Sequence, residues 1–96
     1  MIDLSIIIVS FNTKKLTKEC VESVVKNTKK TRYEIILVDN ASTDGSVSTI
    51  KNSKFTVPNS KLKIIKNKKN LGFGKANNQG FRKAKGKYFR YICHKK

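Results

Sequence analysis

An apolar run that ends in a carboxylate constrains the fold of this chain more than any other stretch. Residues 35–38 read Ile-Ile-Leu-Val, and Asp39 follows directly, ahead of small polar residues and Gly45. Four consecutive apolar residues indicate a strand that is buried on both faces, as in a parallel sheet. Asp39 then lies at the carboxyl end of that strand, the edge where open α/β sheets bind ligands. Asx residues also form ordinary turns, so the run alone leaves both interpretations open.

The rest of the chain alternates short apolar runs with amphipathic segments. Strands are predicted over residues 4–9, 33–38, 62–65 and 88–92, and helices over residues 14–27, 46–52 and 73–84. In the first helix, Leu16, Cys20 and Val24 recur at intervals of four, with Val21 and Val25 beside them. Each crossover is long enough for a helix, which predicts a β-α-β-α-β-α-β order, a parallel sheet and right-handed connections. We expect residues 1–96 to form one small domain.

The turns after the first two strands contain residues that favour helix N-termini. Asn12 or Thr13 is expected to cap the first helix. Ser42 or Thr43 is expected to cap the second helix, with Asp44 in its electropositive first turn. A carboxylate and a helix N-terminus would then lie side by side at one edge of the sheet.

Charge and cysteine content limit the settings in which the chain works. Lys and Arg number 22 against six Asp and Glu, a net charge of +16, which attracts nucleic acid, anionic lipid and polyphosphate ligands without specificity. Cys20 and Cys93 have no metal-ligand spacing, which predicts two buried free thiols in a reducing compartment. Nothing resembles a signal peptide, and the longest apolar run is too short to span a bilayer. We expect a cytoplasmic protein.

The glycines near position 72 do not form a dinucleotide fingerprint. Gly72 and Gly74 supply the first two glycines of G-x-G-x-x-G, but Asn77 stands at the third. A Rossmann dehydrogenase is therefore disfavoured.

Three segments resemble the signatures of one family. Residues 5–12 read SIIIVSFN, residues 38–46 read VDNASTDGS and residues 70–80 read NLGFGKANNQG. All three are similar to signatures of the inverting glycosyltransferases of family 2, which have the GT-A fold, and they occur in family order at family spacing. The resemblance implies half of a GT-A fold, a Rossmann-like sheet with strand order 3-2-1-4. The ligand crevice would then open between the first and fourth strands, near Ser10 and Phe11.

The resemblance implies that the chain binds a nucleotide-diphospho-sugar, preferably of the uridine type. Family residues at matching positions contact the nucleotide, which gives that role to Ser10, Phe11 and Asp39. Phe11 would be the apolar wall for the base, with the ring of the family's more frequent Tyr but without its hydroxyl, and Asp39 would accept the imide proton. Asn70 and Gly72 are expected beside the base, where Gly72 tolerates a positive φ. A simple turn and helix cap would account for that loop equally well without the resemblance.

The resemblance also implies a metal, which this sequence does not accommodate. Full-length family members bind Mn or Mg through an acidic D-x-D motif after the fourth strand. Here Arg90 departs from the family pattern within that strand, and residues 93–96 read Cys-His-Lys-Lys where the motif belongs. The general base of the family lies in a C-terminal half that these 96 residues do not include. We therefore expect no catalytic and no metal-binding residue in this chain, and donor binding without sugar transfer.

Two other function classes stay open. The charge, together with Phe and Tyr interleaved with Lys near residues 85–96, is typical of a basic nucleic-acid-binding module. No helix-turn-helix, zinc or RNP motif accompanies it, so no specific nucleic-acid partner is expected. The basic first helix is also suited to an anionic membrane surface, at the inner face of the membrane, and this interpretation is compatible with donor binding.

Overall fold

The predicted alternation of strands and helices is confirmed. The structure is a computed structural model that describes residues 2–28, 30–51 and 61–93. The elements in chain order are β1 (Leu4–Ser10), α1 (Lys14–Asn27), β2 (Tyr33–Asp39), α2 (Ser46–Lys51), β3 (Leu62–Lys66), α3 (Gly72–Lys83) and β4 (Tyr88–Cys93). The predicted end of the second helix at residue 52, the predicted burial of Cys93 and the tail of residues 94–96 fall outside the described part of the chain.

The four strands form one parallel sheet in the order β3-β2-β1-β4, as the family resemblance implies. β1 and β2 pair in register from Leu4 opposite Tyr33 to Ser10 opposite Asp39. The carboxyl ends of these two strands are therefore level. Ser10 and Asp39 come to lie side by side at the edge of the sheet where the chain leaves both strands.

Helices cover both faces of the sheet because β1 and β2 are apolar at almost every position. The face that carries Ile6 and Ile35 packs against α1 and α2, and the face that carries Ile7 and Ile36 packs against α3. The predicted small-residue face of α3 is confirmed at Gly80. A Cβ there would lie 2.5 Å from Cγ2 of Ile7, so only glycine permits this approach.

The predicted apolar stripe of α1 is correct except at its N-terminal end. Val21 is buried and Cys20 and Val24 are partly buried against the sheet, but Leu16 is 46% exposed. Thr17 takes the inward position instead, and its Oγ1 donates a hydrogen bond to Ser10 Oγ at 3.0 Å. A hydrophobic periodicity cannot identify a buried threonine that is stabilised by hydrogen bonds rather than by apolar contact.

The amino edge of the sheet, opposite the edge that carries Ser10 and Asp39, contains the buried carboxylate of Glu34. Both of its oxygens contact polar groups. Glu34 Oε2 accepts hydrogen bonds from Ser5 Oγ at 2.7 Å and from the Lys85 backbone N–H at 2.6 Å. Its Oε1 lies 3.0 Å from Lys63 Nζ. Burial acts to raise the pKa of Glu34, but these hydrogen bonds and the ammonium group outweigh it, so the pKa is lowered. Glu34 therefore joins β1, β2, β3 and the turn before β4, away from the crevice as expected.

Among the described residues, no helix has the length and apolar character that crossing a membrane requires.

Candidate functional site

The candidate site lies at the carboxyl edge of the sheet, where the strand order reverses between β1 and β4. Phe11 follows β1 directly and its side chain is 37% exposed, so the ring is accessible from solvent. Asp39 ends β2 and is 2% exposed. The level ends of the two strands place the partly exposed ring and the buried carboxylate on neighbouring strands.

The two oxygens of Asp39 have different surroundings. Oδ2 accepts a hydrogen bond from the Ser42 backbone N–H at 3.0 Å, whereas Oδ1 is buried and has no hydrogen-bond partner. A buried carboxylate oxygen without a partner costs about 1–3 kcal/mol or more. An arrangement of this kind is suited to a ligand whose N–H or O–H group reaches the free oxygen.

Ser10 is engaged within the protein. Its Oγ takes part in a buried triangle of hydroxyls with Thr13 and Thr17, at distances of 3.0 to 3.3 Å. Its carbonyl oxygen accepts a hydrogen bond from the Asn40 backbone N–H at 2.8 Å. The hydroxyl of Ser10 therefore joins β1 to α1, and the nucleotide contact assigned to Ser10 stays a prediction.

Two turns with left-handed residues form one wall of the site. Asn12 and Ala41 have φ values of 51° and 66°, and each is the only non-glycine residue of its turn in that region among those described. The Asn12 backbone N–H donates to Ser42 Oγ at 2.9 Å, and Asn12 Oδ1 accepts from the Thr43 backbone N–H at 2.7 Å. These reciprocal hydrogen bonds stabilise both turns in a conformation that is costly for L-residues.

The predicted helix caps are correct for the position of the N-cap of α1 but not for the group that makes the capping bond, and they are wrong for α2. Thr13 stands at the N-cap of α1 but makes no capping bond with its side chain. Asp44 provides the bond instead, because its Oδ2 accepts from the Lys14 backbone N–H at 3.0 Å. Asp44 Oδ1 accepts from the backbone N–H of Ser46 at 3.1 Å and from its hydroxyl, so Asp44 precedes α2 and does not lie in its first turn.

The cause of this difference is the chain reversal at Ala41. Its positive φ turns Ser42 and Thr43 toward the β1–α1 turn, and Asp44 is left next to both helix starts. Partial burial acts to raise the pKa of Asp44, but the hydrogen bonds from Ser46 and Lys14 outweigh it, and the pKa is lowered. One carboxylate therefore serves two helix N-termini.

The loop before α3 forms a second wall. Gly72 has a φ of 83°, which confirms the expected positive φ, and its N–H donates to Asn70 Oδ1 at 2.8 Å. Asn70 is exposed and this bond lies within its own loop. The loop is joined to the end of β2 by the buried Asn40, whose Nδ2 donates to the Gly72 carbonyl at 3.2 Å and whose Oδ1 accepts from the Leu71 N–H at 3.4 Å. The nucleotide contacts assigned to Asn70 and Gly72 stay predictions.

Sequence reasoning did not identify Asn40 as part of the site, nor Asn67 and Gln79, which connect to it. Asn40 had a signal: it is the polar residue that directly follows Asp39 at the strand exit. Asn67 and Gln79 had none, because an amide in a lysine-rich turn or on a polar helix is ordinarily solvated.

The residues present do not fit a divalent metal. In the described part of the chain, no three His, Cys, Asp or Glu side chains come together as a potential metal site. All six acidic residues of the sequence precede position 45, so no residue from that position to position 96 supplies an Asp or Glu side chain. A hard cation such as Mg or Mn requires oxygen ligands of that kind.

The surroundings of the crevice are basic. Lys14 and Lys15 begin α1, and Lys66 ends β3 opposite Asp39. A separate cavity of about 350 Å³ lies between α1 and the strands β1 and β4. Its lining includes Leu4, Cys20 and Arg90. It is distant in the fold from the carboxyl edge, so the crevice, not this cavity, is the candidate site.

The fold and the site together define a class: α/β proteins that bind a ligand at the switch point of an open parallel sheet. The profile of the family Glycosyl transferase family 2 matches residues 5–92. The chain belongs to this family.

Relatives and solved structures agree with this assignment. Glycosyltransferase GlyG of Streptococcus pneumoniae is 33% identical over 89 residues, which are 93% of this chain and 29% of that protein. Poly(ribitol-phosphate) beta-glucosyltransferase of Bacillus spizizenii is 35% identical over 91 residues, 93% of this chain and 14% of that protein. The chain thus spans less than a third of the length of these relatives.

Two solved structures match the fold. S. aureus TarS 1-349, in complex with UDP-GlcNAc, has a TM-score of 0.83 at 26% identity over 96% of this chain and 26% of its own. The mannosyltransferase PcManGT from Pyrobaculum calidifontis, in complex with GDP-Man and Mn2+, has a TM-score of 0.75 at 25% identity over 85% of this chain and 24% of its own.

Proposed function

We propose that this chain is the nucleotide-binding part of an inverting glycosyltransferase and binds a nucleotide-diphospho-sugar donor, preferably of the uridine type. The observation that carries the proposal is the buried, unpartnered Oδ1 of Asp39 at the switch-point edge. The complexes of similar structures with UDP-GlcNAc and with GDP-Man support a donor of this class.

The base is the part of the donor that this edge distinguishes. Uracil has a ring N–H flanked by two carbonyl groups, and Asp39 Oδ1 accepts a hydrogen bond from that N–H. Cytosine has an unprotonated nitrogen at the same place, which would face the carboxylate with a lone pair and leave both acceptors unsatisfied. The Phe11 ring provides an apolar surface for the base, and Lys14 and Lys66 supply positive charge for the diphosphate.

We propose that the 96-residue chain binds its donor without transferring the sugar. Inverting transfer needs a base for the acceptor hydroxyl and an electrophile for the departing diphosphate. The acidic side chains are otherwise engaged or distant: Asp3 pairs with Arg32, Glu34 with Lys63, Asp44 caps two helices, and Glu19 and Glu22 are exposed on α1. Asp39 is assigned to the nucleotide base.

Calorimetry with UDP and CDP tests the binding proposal directly. We expect the parent chain to bind UDP more tightly than CDP, and Asp39→Ala to lose at least about tenfold in UDP affinity and all preference between the two, as for a buried charged hydrogen bond. Asp3→Ala is the matched control, since it removes a carboxylate from the opposite edge of the sheet. Equal UDP binding by the parent and Asp39→Ala would reject the assignment.

The absence of transfer has its own assay. Incubation of the parent chain with a panel of nucleotide-sugars and acceptors, in the presence of Mn or Mg, is expected to release no nucleoside diphosphate above background. Release that is lost in Asp39→Ala would show that the chain contains the catalytic groups after all.

A second proposal concerns location: that α1 holds the chain at an anionic membrane surface, at the cytoplasmic face. The specific observation is the exposed Leu16 between Lys15 and Lys18, an apolar side chain within a basic surface. Flotation with vesicles is expected to recover the chain with phosphatidylglycerol and not with phosphatidylcholine, and Leu16→Ala to reduce the recovery. Equal recovery with both lipids would refute this location.

Binding to nucleic acid is the alternative outcome of the same charge. Association of that kind should fall steeply with salt, whereas uracil-specific binding should not. Comparison of UDP and duplex DNA binding between 50 and 200 mM salt separates them, at the salt range over which phosphate contacts lose roughly a thousandfold in affinity.

A further inference from the structure

A chain of three side-chain amides connects α3 to the candidate site. Asn67, just after β3, and Gln79, on α3, face one another with two hydrogen bonds of 2.8 Å, each donating its NH₂ to the other's carbonyl oxygen. Asn67 Nδ2 also donates to Asn40 Oδ1 at 2.8 Å. Asn40 in turn contacts the backbone of Leu71 and Gly72. The three amides thus link the middle of α3 to the loop that forms the second wall.

The backbone of Leu71 and Gly72 sets the orientation of all three side-chain amides in this series. The Leu71 N–H can only donate and the Gly72 carbonyl can only accept, so Asn40 has a single satisfied orientation. Its Oδ1 then requires the NH₂ group of Asn67, and the remaining carbonyl oxygen of Asn67 requires the NH₂ group of Gln79. A series of hydrogen bonds in one direction stabilises one position of the loop over others.

The same series is anchored at the backbone of Asp39, the residue whose carboxylate the donor would contact. The Asn67 backbone N–H donates to the Asp39 carbonyl at 2.8 Å, and Asn40 follows Asp39 in the chain. Gln79 lies seven residues after Gly72, two helical turns or roughly 10 Å along α3, so it acts through the other amides and not on a ligand. Asn40 is covalently joined to Asp39 and bonds to the 71–72 backbone, and Asn67, held by Gln79, keeps Asn40 in that orientation. The series therefore fixes the distance between the loop and Asp39.

We propose that Asn67 and Gln79 are positioning residues that set the width of the crevice and thereby discriminate against purine nucleotides. The inference rests on the proposed donor binding. Guanine has a ring N–H that satisfies Asp39 as uracil does, so the carboxylate by itself does not separate the two bases. The space between Asp39 and the 71–72 backbone separates the two bases, because a purine is larger than a pyrimidine.

Gln79→Glu provides a test that can be reversed within one variant. The ionised carboxylate still accepts from Asn67 Nδ2 but has no proton to donate to Asn67 Oδ1, so one of the two hydrogen bonds is replaced at pH 7.5 by two facing oxygens. The protonated carboxyl has one O–H and one C=O, the same arrangement as the amide, so the pairing returns progressively as the pH falls through the ordinary Glu pKa. A group that is important only for packing would show no such recovery.

The measured quantity is the ratio of UDP to GDP affinity by calorimetry in the full chain. We expect Gln79→Glu to lower this ratio by about five- to tenfold at pH 7.5, the value of a lost hydrogen bond, and to recover part of this loss near pH 4.5, where roughly half of the carboxyl groups at that position are protonated. The parent is measured at both pH values, so that effects of pH on binding that do not involve position 79 cancel. A ratio equal to the parent's at both pH values would overturn the proposal.

Two control variants separate positioning from general stability. Asn78→Ala removes an exposed amide from the adjacent position of α3 and should leave the ratio unchanged. Val25→Ala removes part of the core contact of α1, on the other face of the sheet, and should lower the melting temperature without changing the ratio. If Val25→Ala lowers the ratio as much as Gln79→Glu does, the effect is one of stability and the proposal fails.

Amide hydrogen exchange tests the positioning without any ligand. In Gln79→Ala, exchange of the Leu71 N–H should accelerate at least about fivefold, while the Asn40 N–H, which bonds to Ser10 across β1 and β2, stays protected. Unchanged Leu71 exchange would refute the inference. A parent chain that binds no nucleotide would instead reject the proposed function, and the exchange result would still decide whether the amides position the loop.

Discussion

Strand β2 has a buried carboxylate near each end, and the two are partnered differently. Glu34, near its start, has one oxygen that accepts hydrogen bonds from Ser5 and Lys85, and its other oxygen forms an ion pair with the Lys63 ammonium group at 3.0 Å. Asp39, at its end, has one oxygen bonded to the Ser42 N–H and one without a partner. The strand, the burial and the type of group are alike, so the difference arises from what each edge of the sheet supplies.

The comparison separates a structural carboxylate from one that is available to a ligand. At the amino edge, β3 and the turn before β4 close over Glu34 with an ammonium group and a backbone N–H. At the carboxyl edge, the turns of Asn12 and Ala41 bond to one another and leave Asp39 Oδ1 facing neither. Glu34 variants should therefore change stability, and Asp39 variants should change binding.

The largest expected effect is the loss of stability in Glu34→Ala. Removal of this carboxylate leaves the Lys85 N–H and the Ser5 hydroxyl without their buried acceptor, which costs about 1–3 kcal/mol for each unsatisfied group, whereas Lys63, whose side chain is 34% exposed, can turn to water. Urea denaturation monitored by circular dichroism measures it. Glu22→Ala, on the exposed side of α1, is the control and should stay within about 0.5 kcal/mol of the parent. A similar small change in Glu34→Ala would erase the distinction between the two edges.

The second effect tests the scaffold around Asp39. Asp44→Ala removes the cap that α1 and α2 share, so we expect a loss of about 1–2 kcal/mol, at the upper end for a single capping residue. Thr13→Ala removes the N-cap residue itself but no capping bond, and disturbs only the hydroxyl triangle. If Thr13→Ala and Asp44→Ala lose helical signal equally at the N-terminus of α1, Asp44 is not the principal cap.

The fold was predictable because the pattern of this chain is unusually direct. The apolar runs of β1 and β2 have no polar interruption between Ile6 and Val9 or between Ile35 and Val38, so both had to be buried parallel strands. Strand order came from the family resemblance. The position of Asp39 was predictable for the same reason, because a carboxylate that ends a buried parallel strand lies at the carboxyl edge of the sheet.

The hydrogen bonds of the site were not predictable from local sequence. The cap on α1 comes from Asp44, thirty positions from Lys14, and depends on a left-handed Ala41 that no propensity favours. Asn67 and Gln79 are joined only because β3 and α3 pack on the same sheet. Local propensity describes neighbours along the chain, and these partners are neighbours only in space.

The third effect is a pH dependence of stability to which Glu34 contributes. Its pKa in the folded chain is below the ordinary value of 4.5, so the ionised form stabilises the fold. That contribution is complete above the ordinary value and is lost as the pH falls through the folded pKa. Urea midpoints measured from pH 7 to pH 3 should therefore fall in the parent and fall less in Glu34→Gln. Parallel curves for the two proteins would show that another group controls acid stability.

The smallest expected effect is on the stability of Asp39→Ala, and it is the most direct contrast between Asp39 and Glu34. The variant loses the bond to the Ser42 N–H, worth about 1 kcal/mol, and also removes a buried oxygen that costs about 1–3 kcal/mol while unpartnered. The two terms offset, so we expect the free energy of unfolding to stay within about 1 kcal/mol of the parent or to rise by that amount. Added UDP should then stabilise the parent in proportion to RT ln(1 + [UDP]/Kd) and leave the variant unchanged. If Asp39→Ala keeps the stability of the parent but loses the stabilisation by UDP, the carboxylate is required for binding and not for folding. A destabilisation of Asp39→Ala as large as that of Glu34→Ala would mean that both ends of β2 are structural.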